Sequence, residues 1–391
     1  MAISLALIIT LGMLANFLFE KIKLPGLLGM LLVGVAIGPY GLNLMEPEIM
    51  AVSADLRKIA LIVILLRAGL GLKKETLQKV GKNAIRMSFI PCLLEGFTIM
   101  YFAHLFFGIS FAEAGILGFT LAAVSPAVIV PSMLQLIDSG KGSEKGLPTM
   151  ILAGASVDDV FAITFFSSMI SMYFSQNISI GNQLIRIPIS IFFGILLGYL
   201  VGTFFTYLFQ KIHMRDTKKT LLLLGAAVFM TGFEDFLADK IEIAALLGVM
   251  TVGFILLEKY PKISKRLSVK LNKIWVFAEI ILFVLVGAQV NISVASQSLG
   301  IGLLLILLGL IARSIGVLLS ISGSDYTPGE KLFCVVAYWP KATVQAAIGS
   351  VPLTMGVAHG ESFLAIAVLA ILVTAPLGAI GIRIIGEKVL Q

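Results

Sequence analysis

Apolar residues run along the chain in blocks of about 20, separated by short segments that hold most of the lysine and arginine. A block of that length spans the hydrocarbon core of a bilayer as an α-helix. Transmembrane β-strands would instead give alternating segments of roughly 10 residues, a pattern missing from this sequence. The blocks predict thirteen helices, near residues 2–19, 24–39, 56–72, 84–107, 112–136, 147–174, 184–210, 219–236, 241–258, 274–290, 299–321, 330–350 and 361–385. The expected fold class is an all-α polytopic membrane protein. No connecting segment is long enough to hold a soluble domain.

Charge gives this pattern a direction. With the N-terminus outside, the inner segments are 20–23, 73–83, 137–146, 211–219, 258–273, 322–331 and the C-terminal end. Most of the 29 Lys and Arg residues lie in or beside these segments, whereas only Arg57, Lys58, Arg186 and Lys240 lie outside. Short cytoplasmic loops carry such a basic excess, so the expected topology is N-out, C-in, with an odd number of spans. The net charge of +7 is then a property of loops and implies no nucleic acid partner. A composition of 58% hydrophobic and 13% charged residues, with a mean hydropathy of +1.03, excludes a soluble enzyme, a disordered chain and a coiled coil. Cys92 and Cys334 sit in apolar stretches with no disulfide framework or metal-ligand spacing. His104, His213 and His359 are too scattered for a zinc site. The first block lacks a basic flank and a small-residue cleavage pattern, and is read as a retained helix.

Two spans are interrupted by proline at matching places. Pro126 follows Ser125 in the fifth span, and Pro340 precedes Lys341 in the twelfth, 214 residues later. A shift of seven spans reverses direction in the membrane, so the two halves read as inverted repeats joined by the seventh span. Broken helices at corresponding places in two inverted halves point to a transport site near the midplane.

Charges inside spans cost several kcal/mol unless paired or hydrated, and are functional candidates for that reason. Asp158 and Asp159 stand about a dozen residues into the sixth span. Ser156, three positions before Asp159, shares its helix face. Two adjacent carboxylates in low dielectric can hold a proton or a small cation, but not both, which is the minimal chemistry of an exchanger. Glu95 in the fourth span and Arg313 in the eleventh are near-equivalent positions of the two halves, and an ion pair between them is expected. Arginine keeps its proton, so Arg313 is assigned a structural role. Lys341 can neutralise the negative end of a half-helix, pair with Asp158, or release a proton when a cation binds; the sequence leaves these roles open. Arg67 and Glu279 lie near inner ends and read as structural.

The run Ala155-Ser156-Val157-Asp158-Asp159-Val160 resembles the paired-aspartate motif of monovalent cation:proton antiporters. Trp339-Pro340-Lys341-Ala342-Thr343-Val344-Gln345-Ala346-Ala347-Ile348-Gly349 is similar to the signature of the NHA branch, the SLC9B-type sodium/hydrogen exchangers. Leu66-Arg67-Ala68-Gly69-Leu70-Gly71-Leu72 and Val124-Ser125-Pro126-Ala127-Val128-Ile129-Val130-Pro131-Ser132 are similar to other segments of that branch. The resemblance runs from about residue 20 to 385.

It implies the sodium/proton antiporter fold with two crossing broken helices, a homodimer, and an elevator-like movement of a core domain. Residues 1–83 and 219–298 would form the dimerisation domain, 84–174 and 299–391 the core, and 175–218 a linker helix. Asp159 would be the main ligand of Na+ or Li+ and Asp158 its partner, with Ser125, Ser156 and Thr343 as further oxygen ligands. Glu95 and Arg313 would be the interhelical pair and Lys341 the basic residue at the crossing. Two departures leave stoichiometry open: Ser125 and Ala127 flank Pro126 where many members carry an acid, and Arg313 stands where some electrogenic members have lysine.

The function expected is exchange of Na+ or Li+ for H+. Potassium/proton exchange and sodium-coupled organic-anion symport are the alternatives, and a sensor without flux is a further one. Adjacent aspartates on one helix diverge and do not form a protease dyad, so no enzyme is expected. No cofactor is expected besides the transported ions. Membrane lipid is the surrounding partner, and a bacterial inner membrane is the expected location.

Overall fold

The computed structural model describes residues 1–71, 81–142, 144–174, 180–237 and 243–390. Among them all regular structure is helical. The first part of the chain forms α1 (Ala2–Lys21), α2 (Gly26–Ile37), α3 (Pro47–Ala51), α4 (Ser53–Gly71), α5 (Gly81–Met87) and α6 (Ile90–Phe107). A broken segment follows, α7 (Phe111–Leu121) and α8 (Pro126–Asp138), and then α9 (Leu147–Phe174). The middle holds α10 (Ile180–Lys211), α11 (Asp216–Leu237), α12 (Ala245–Lys259) and α13 (Pro261–Ala288). After α14 (Ile292–Ser320) comes a second broken segment, α15 (Pro328–Ala337) and α16 (Thr343–Ile348), then the short α17 (Val351–Thr354) and α18 (Gly360–Val389). Seven of the described helices are long and apolar enough to cross a membrane by themselves. Helices predominate because a bilayer core offers no water to backbone N–H and C=O groups, and an α-helix satisfies them internally.

The chain divides into two compact units, residues 1–56, 79–173 and 280–391, and residues 57–78 and 174–279. In the first unit α6 packs along both α7 and α14, and α18 packs against α14 and α15. In the second unit α10 packs along α12. Their seam is made of small residues: a Cβ on Gly198 would strike the backbone of Gly248. Without a hydrophobic drive in lipid, such close backbone approach supplies the packing energy.

Sequence signals set the ends of these helices. Gly108, at φ +64, closes α6 in the left-handed conformation that glycine adopts without a Cβ penalty. Ser110 then caps α7 by accepting from the Glu113 N–H. Asn291 caps α14 through the N–H groups of Ser293 and Val294. Where the starts of α7 and α18 meet, His359 lies against Glu113, with Nδ1 2.7 Å from Oε1.

The segment 258–273, read from its charges as an inner segment between spans at 241–258 and 274–290, holds more helix than those bounds give it. Apart from Tyr260 it is all helix: Glu258 and Lys259 end α12, and residues 261–273 are continuous with the span that follows in α13. Pro261 supplies a preset φ at the first helical position. Ile263, Leu267 and Leu271 are buried at four-residue spacing while Lys262, Lys265, Arg266, Lys270 and Lys273 are not. A run dense in lysine thus carries an apolar helical stripe, which outweighs the loop-like composition.

Thr327 opens α15 with a capping box, its hydroxyl accepting from the Glu330 N–H while Glu330 accepts from the Thr327 N–H. Glu330 also receives the Lys145 ammonium at 2.8 Å. Burial pushes the Glu330 carboxyl up, but the hydrogen bonds from Lys145 and Thr327 outweigh it and hold the group below its usual 4.5. A depressed carboxyl stabilises the fold above its ordinary value, and the contribution is lost as pH falls through the folded one. Glu330→Gln is therefore expected to lower stability by about 1 kcal/mol at neutral pH, and the difference should shrink only as pH falls below the ordinary carboxylate range and through the lower folded value. Thermal unfolding of both proteins in detergent across pH checks this; a difference independent of pH would remove the charge from the account.

Candidate ion-exchange site

The two breaks meet. The Ser125 N–H, the last before Pro126, donates to the Pro340 carbonyl at 2.8 Å. Proline lacks an N–H and clashes with a preceding helical turn, so each break leaves unwound backbone: residues 122–125 on one strand and 338–342 on the other. All of these residues are buried except Trp339. Buried unwound backbone needs partners, and here they are supplied group by group. The Val124 N–H donates to Asp158 Oδ2 at 2.8 Å. The Lys341 N–H donates to Thr374 Oγ1 on α18 at 2.9 Å. Ser125 Oγ lies 3.4 Å from Thr343 Oγ1 and accepts from the Thr343 N–H. The side-chain amide of Gln345 donates to the carbonyls of Leu121 and Ala123, at 3.3 and 2.9 Å.

Five ionisable side chains gather around the crossing. Glu95 comes from α6, Asp158 and Asp159 from α9, Arg313 from α14 and Lys341 from the second break; none is more than 7% exposed. Arg313 Nε bonds to Glu95 Oε2. Its Nη2 lies 3.3 Å from Asp158 Oδ2. The Lys341 ammonium binds the same Glu95 oxygen at 2.6 Å, so Glu95 is shared by two cations. Asp158 is reached by one of them and by a backbone N–H. Gly309 is the position related to Glu95 by the 214-residue offset, and a Cβ there would sit 3.2 Å from Glu95 Oε1. Arg313 follows one turn later. Its guanidinium also lies over the Tyr338 ring, 5.8 Å from the centroid.

Asp159 differs from its neighbours. Among the described residues it has no hydrogen bond and no ion pair, and its buried Oδ1 accepts nothing; Asp158 Oδ1 is likewise without a donor. Buried polar atoms are nearly always satisfied. Two open carboxylate oxygens on one helix, beside a crossing of unwound backbone, are therefore an oxygen-rich place for a hard monovalent cation or a proton. Ser125 and Thr343 lie together at the crossing and bond to each other, with neither hydroxyl bonded to Asp158 or Asp159 among the described residues. The side chain of Ser156 lies outside the described residues.

Comparison with known proteins fits this arrangement. The family model described as sodium/hydrogen exchanger, transmembrane, matches residues 3–388. The chain belongs to the sodium/hydrogen exchanger family. Within that family the human sodium/hydrogen exchanger 9B2 is 36% identical over 382 residues, 94% of this chain and 70% of that protein. The human sodium/hydrogen exchanger 9B1 is 35% identical over 385 residues, 94% of this chain and 73% of that protein. These relatives place this exchanger-family chain in the SLC9B branch. The sodium proton antiporter MjNhaP1 from Methanocaldococcus jannaschii superposes with a TM-score of 0.82 at 20% identity, covering 98% of this chain and 97% of the other. The two share the antiporter fold.

Sequence reading named the acids, the two basic residues, the prolines and the Glu95–Arg313 pair, but not the rest of the wiring. It weighed Asp158 as a partner of Lys341, whereas the ammonium sits on Glu95. It also passed over Gln345 and Thr374, whose side chains satisfy the unwound backbone. The sequence signal for Gln345 was a lone amide four residues after Lys341 in a stretch of small and apolar residues.

Proposed function

We propose that this chain exchanges Na+ or Li+ for H+ across the membrane, with Asp159 and Asp158 as the shared site for cation and proton. The observation that carries this reading is the buried, unpartnered Asp159 carboxylate next to Asp158 at the crossing of two broken helices. With all five groups ionised, three carboxylates face two cations, leaving one net negative charge. A single Na+ neutralises it, and so does a single proton. Both together would leave the buried cluster with net positive charge, which low dielectric penalises. Occupancy is then mutually exclusive, and a one-for-one exchange moves no net charge. Glu95, Arg313 and Lys341 hold the remaining charges in a fixed network around the site.

The movement is read as alternating access of an elevator type, with residues 84–174 and 299–391 as the moving core. Residues 1–83 and 219–298 then form the dimerisation domain of a homodimer, and 175–218 the linker. The basic inner segments favour N-out, C-in insertion, in a bacterial inner membrane. Ser125, Thr343 and Ser156 are the candidate additional oxygen ligands.

Proteoliposomes carrying an acid-inside pH gradient test the reading. Added Na+ or Li+ is expected to collapse the gradient, at a rate unchanged when valinomycin and potassium clamp the membrane potential. A response confined to K+ would replace the cation at the same site. No response to any cation from folded protein would overturn exchange in favour of symport or sensing, and a rate that follows the potential would overturn the one-for-one count.

A further inference from the structure

We infer that Gln345 is a positioning residue for cation binding, acting through the Ala123–Val124 peptide group. That peptide is held from both sides. Its carbonyl accepts from Gln345 Nε2 at 2.9 Å, and its N–H donates to Asp158 Oδ2 at 2.8 Å. Gln345 belongs to α16, the half-helix beyond the second break, and Asp158 belongs to α9. The peptide lies in the first break. One amide thus ties the second broken helix, through the first, to a carboxylate of the proposed cation site.

Three features make this more than scaffold packing. Leu121 is the last residue of α7, and its carbonyl and that of Ala123 lie where the helix has stopped supplying donors. Gln345 gives both of them a donor inside the membrane, where no solvent substitutes. The amide has only one usable orientation: turned over, its oxygen would face two carbonyl oxygens, and its Oε1 as placed accepts nothing among the described residues. Finally, donation to the Ala123 carbonyl polarises the peptide and strengthens the Val124 N–H as a donor to Asp158. Gln345 thereby fixes which Asp158 oxygen is engaged by the backbone, Oδ2, and which is left open, Oδ1.

The inference rests on the exchange reading above, and its test separates the two. Wild-type cation-driven proton movement is measured first; its failure would overturn exchange itself. Gln345→Met keeps the length of the side chain and removes its donors, and Gln345→Glu replaces donors with an acceptor. Both are expected to raise the apparent KM for Na+ about tenfold or more, with the maximal rate within about threefold of wild type. Gln345→Asn keeps an amide on a shorter stem and should fall between. Ser314→Ala is the control, because it removes the 3.1 Å bond from Trp339 Nε1 at the second break without touching the first; its KM should stay within about twofold. An unchanged KM in the Met and Glu variants, with or without a lower maximal rate, would overturn the inference. If those two do not fold, the Asn variant decides by the same criterion. Loss of folding in all three would assign Gln345 to the scaffold and overturn it as well.

Discussion

Asp159→Asn is expected to abolish cation-dependent proton movement while the protein folds and purifies like wild type. Asparagine keeps the size of the side chain and one oxygen but carries no charge. Attraction between a monovalent cation and a carboxylate at about 4 Å is about 4 kcal/mol at the effective dielectric of partly hydrated protein. Removing it lowers cation affinity by about a thousandfold, and the amide has no proton to exchange. Stability should be unchanged or higher. Among the described residues Asp159 has no ion pair to lose, and a buried charge without a partner is a cost that the amide relieves. Asp158→Asn provides the contrast, because Asp158 is bonded to Arg313 and to the Val124 N–H. Neutralising it weakens a network as well as a site, so its thermal midpoint should fall. Sodium-driven exchange persisting in Asp159→Asn would remove Asp159 from the centre of the site.

The features that sequence showed in advance are those that break a local rule. Pro126 and Pro340 interrupt apolar blocks and cannot continue a helix, so the two unwound segments could be placed to within a few residues. Asp158 and Asp159 are conspicuous because charge is expensive at mid-span. The offset between the two prolines pointed from Glu95 to the neighbourhood of Arg313, and the two side chains bond to each other. What sequence could not show is choice among partners. From sequence the acid open to Lys341 was Asp158, and only the path of the unwound backbone puts its ammonium on Glu95. Gln345 and Thr374 were hidden for a different reason. Their work is to satisfy backbone groups of other segments, and that demand exists only after the chain has folded. In 258–273 charge density set the start of the following span at 274, although the four-residue spacing of Ile263, Leu267 and Leu271 carries the helix back to Pro261.

Arg313→Ala is expected to be the most destabilising single change at the site. The guanidinium has 0% exposure and contacts Glu95, Asp158 and the face of Tyr338. Removing one partner from a buried ionic network costs about 3–5 kcal/mol, because the charges left behind have already lost their water. In this network the loss leaves three acids with Lys341 alone. Glu95→Ala should cost a similar amount for the opposite reason, since it leaves Arg313 and Lys341 facing each other with only the two aspartates to balance them. Arg313→Lys keeps the charge but not the fork that reaches Glu95 and Asp158 together, so it should recover part of the stability of the alanine variant. Thermal unfolding in detergent, read beside exchange in proteoliposomes, separates structure from transport. If Arg313→Ala unfolded at the wild-type temperature yet carried no cation-driven proton flux, Arg313 would be acting in the transport cycle itself, and the network around Glu95 would have to be redrawn as part of the moving charge rather than its frame.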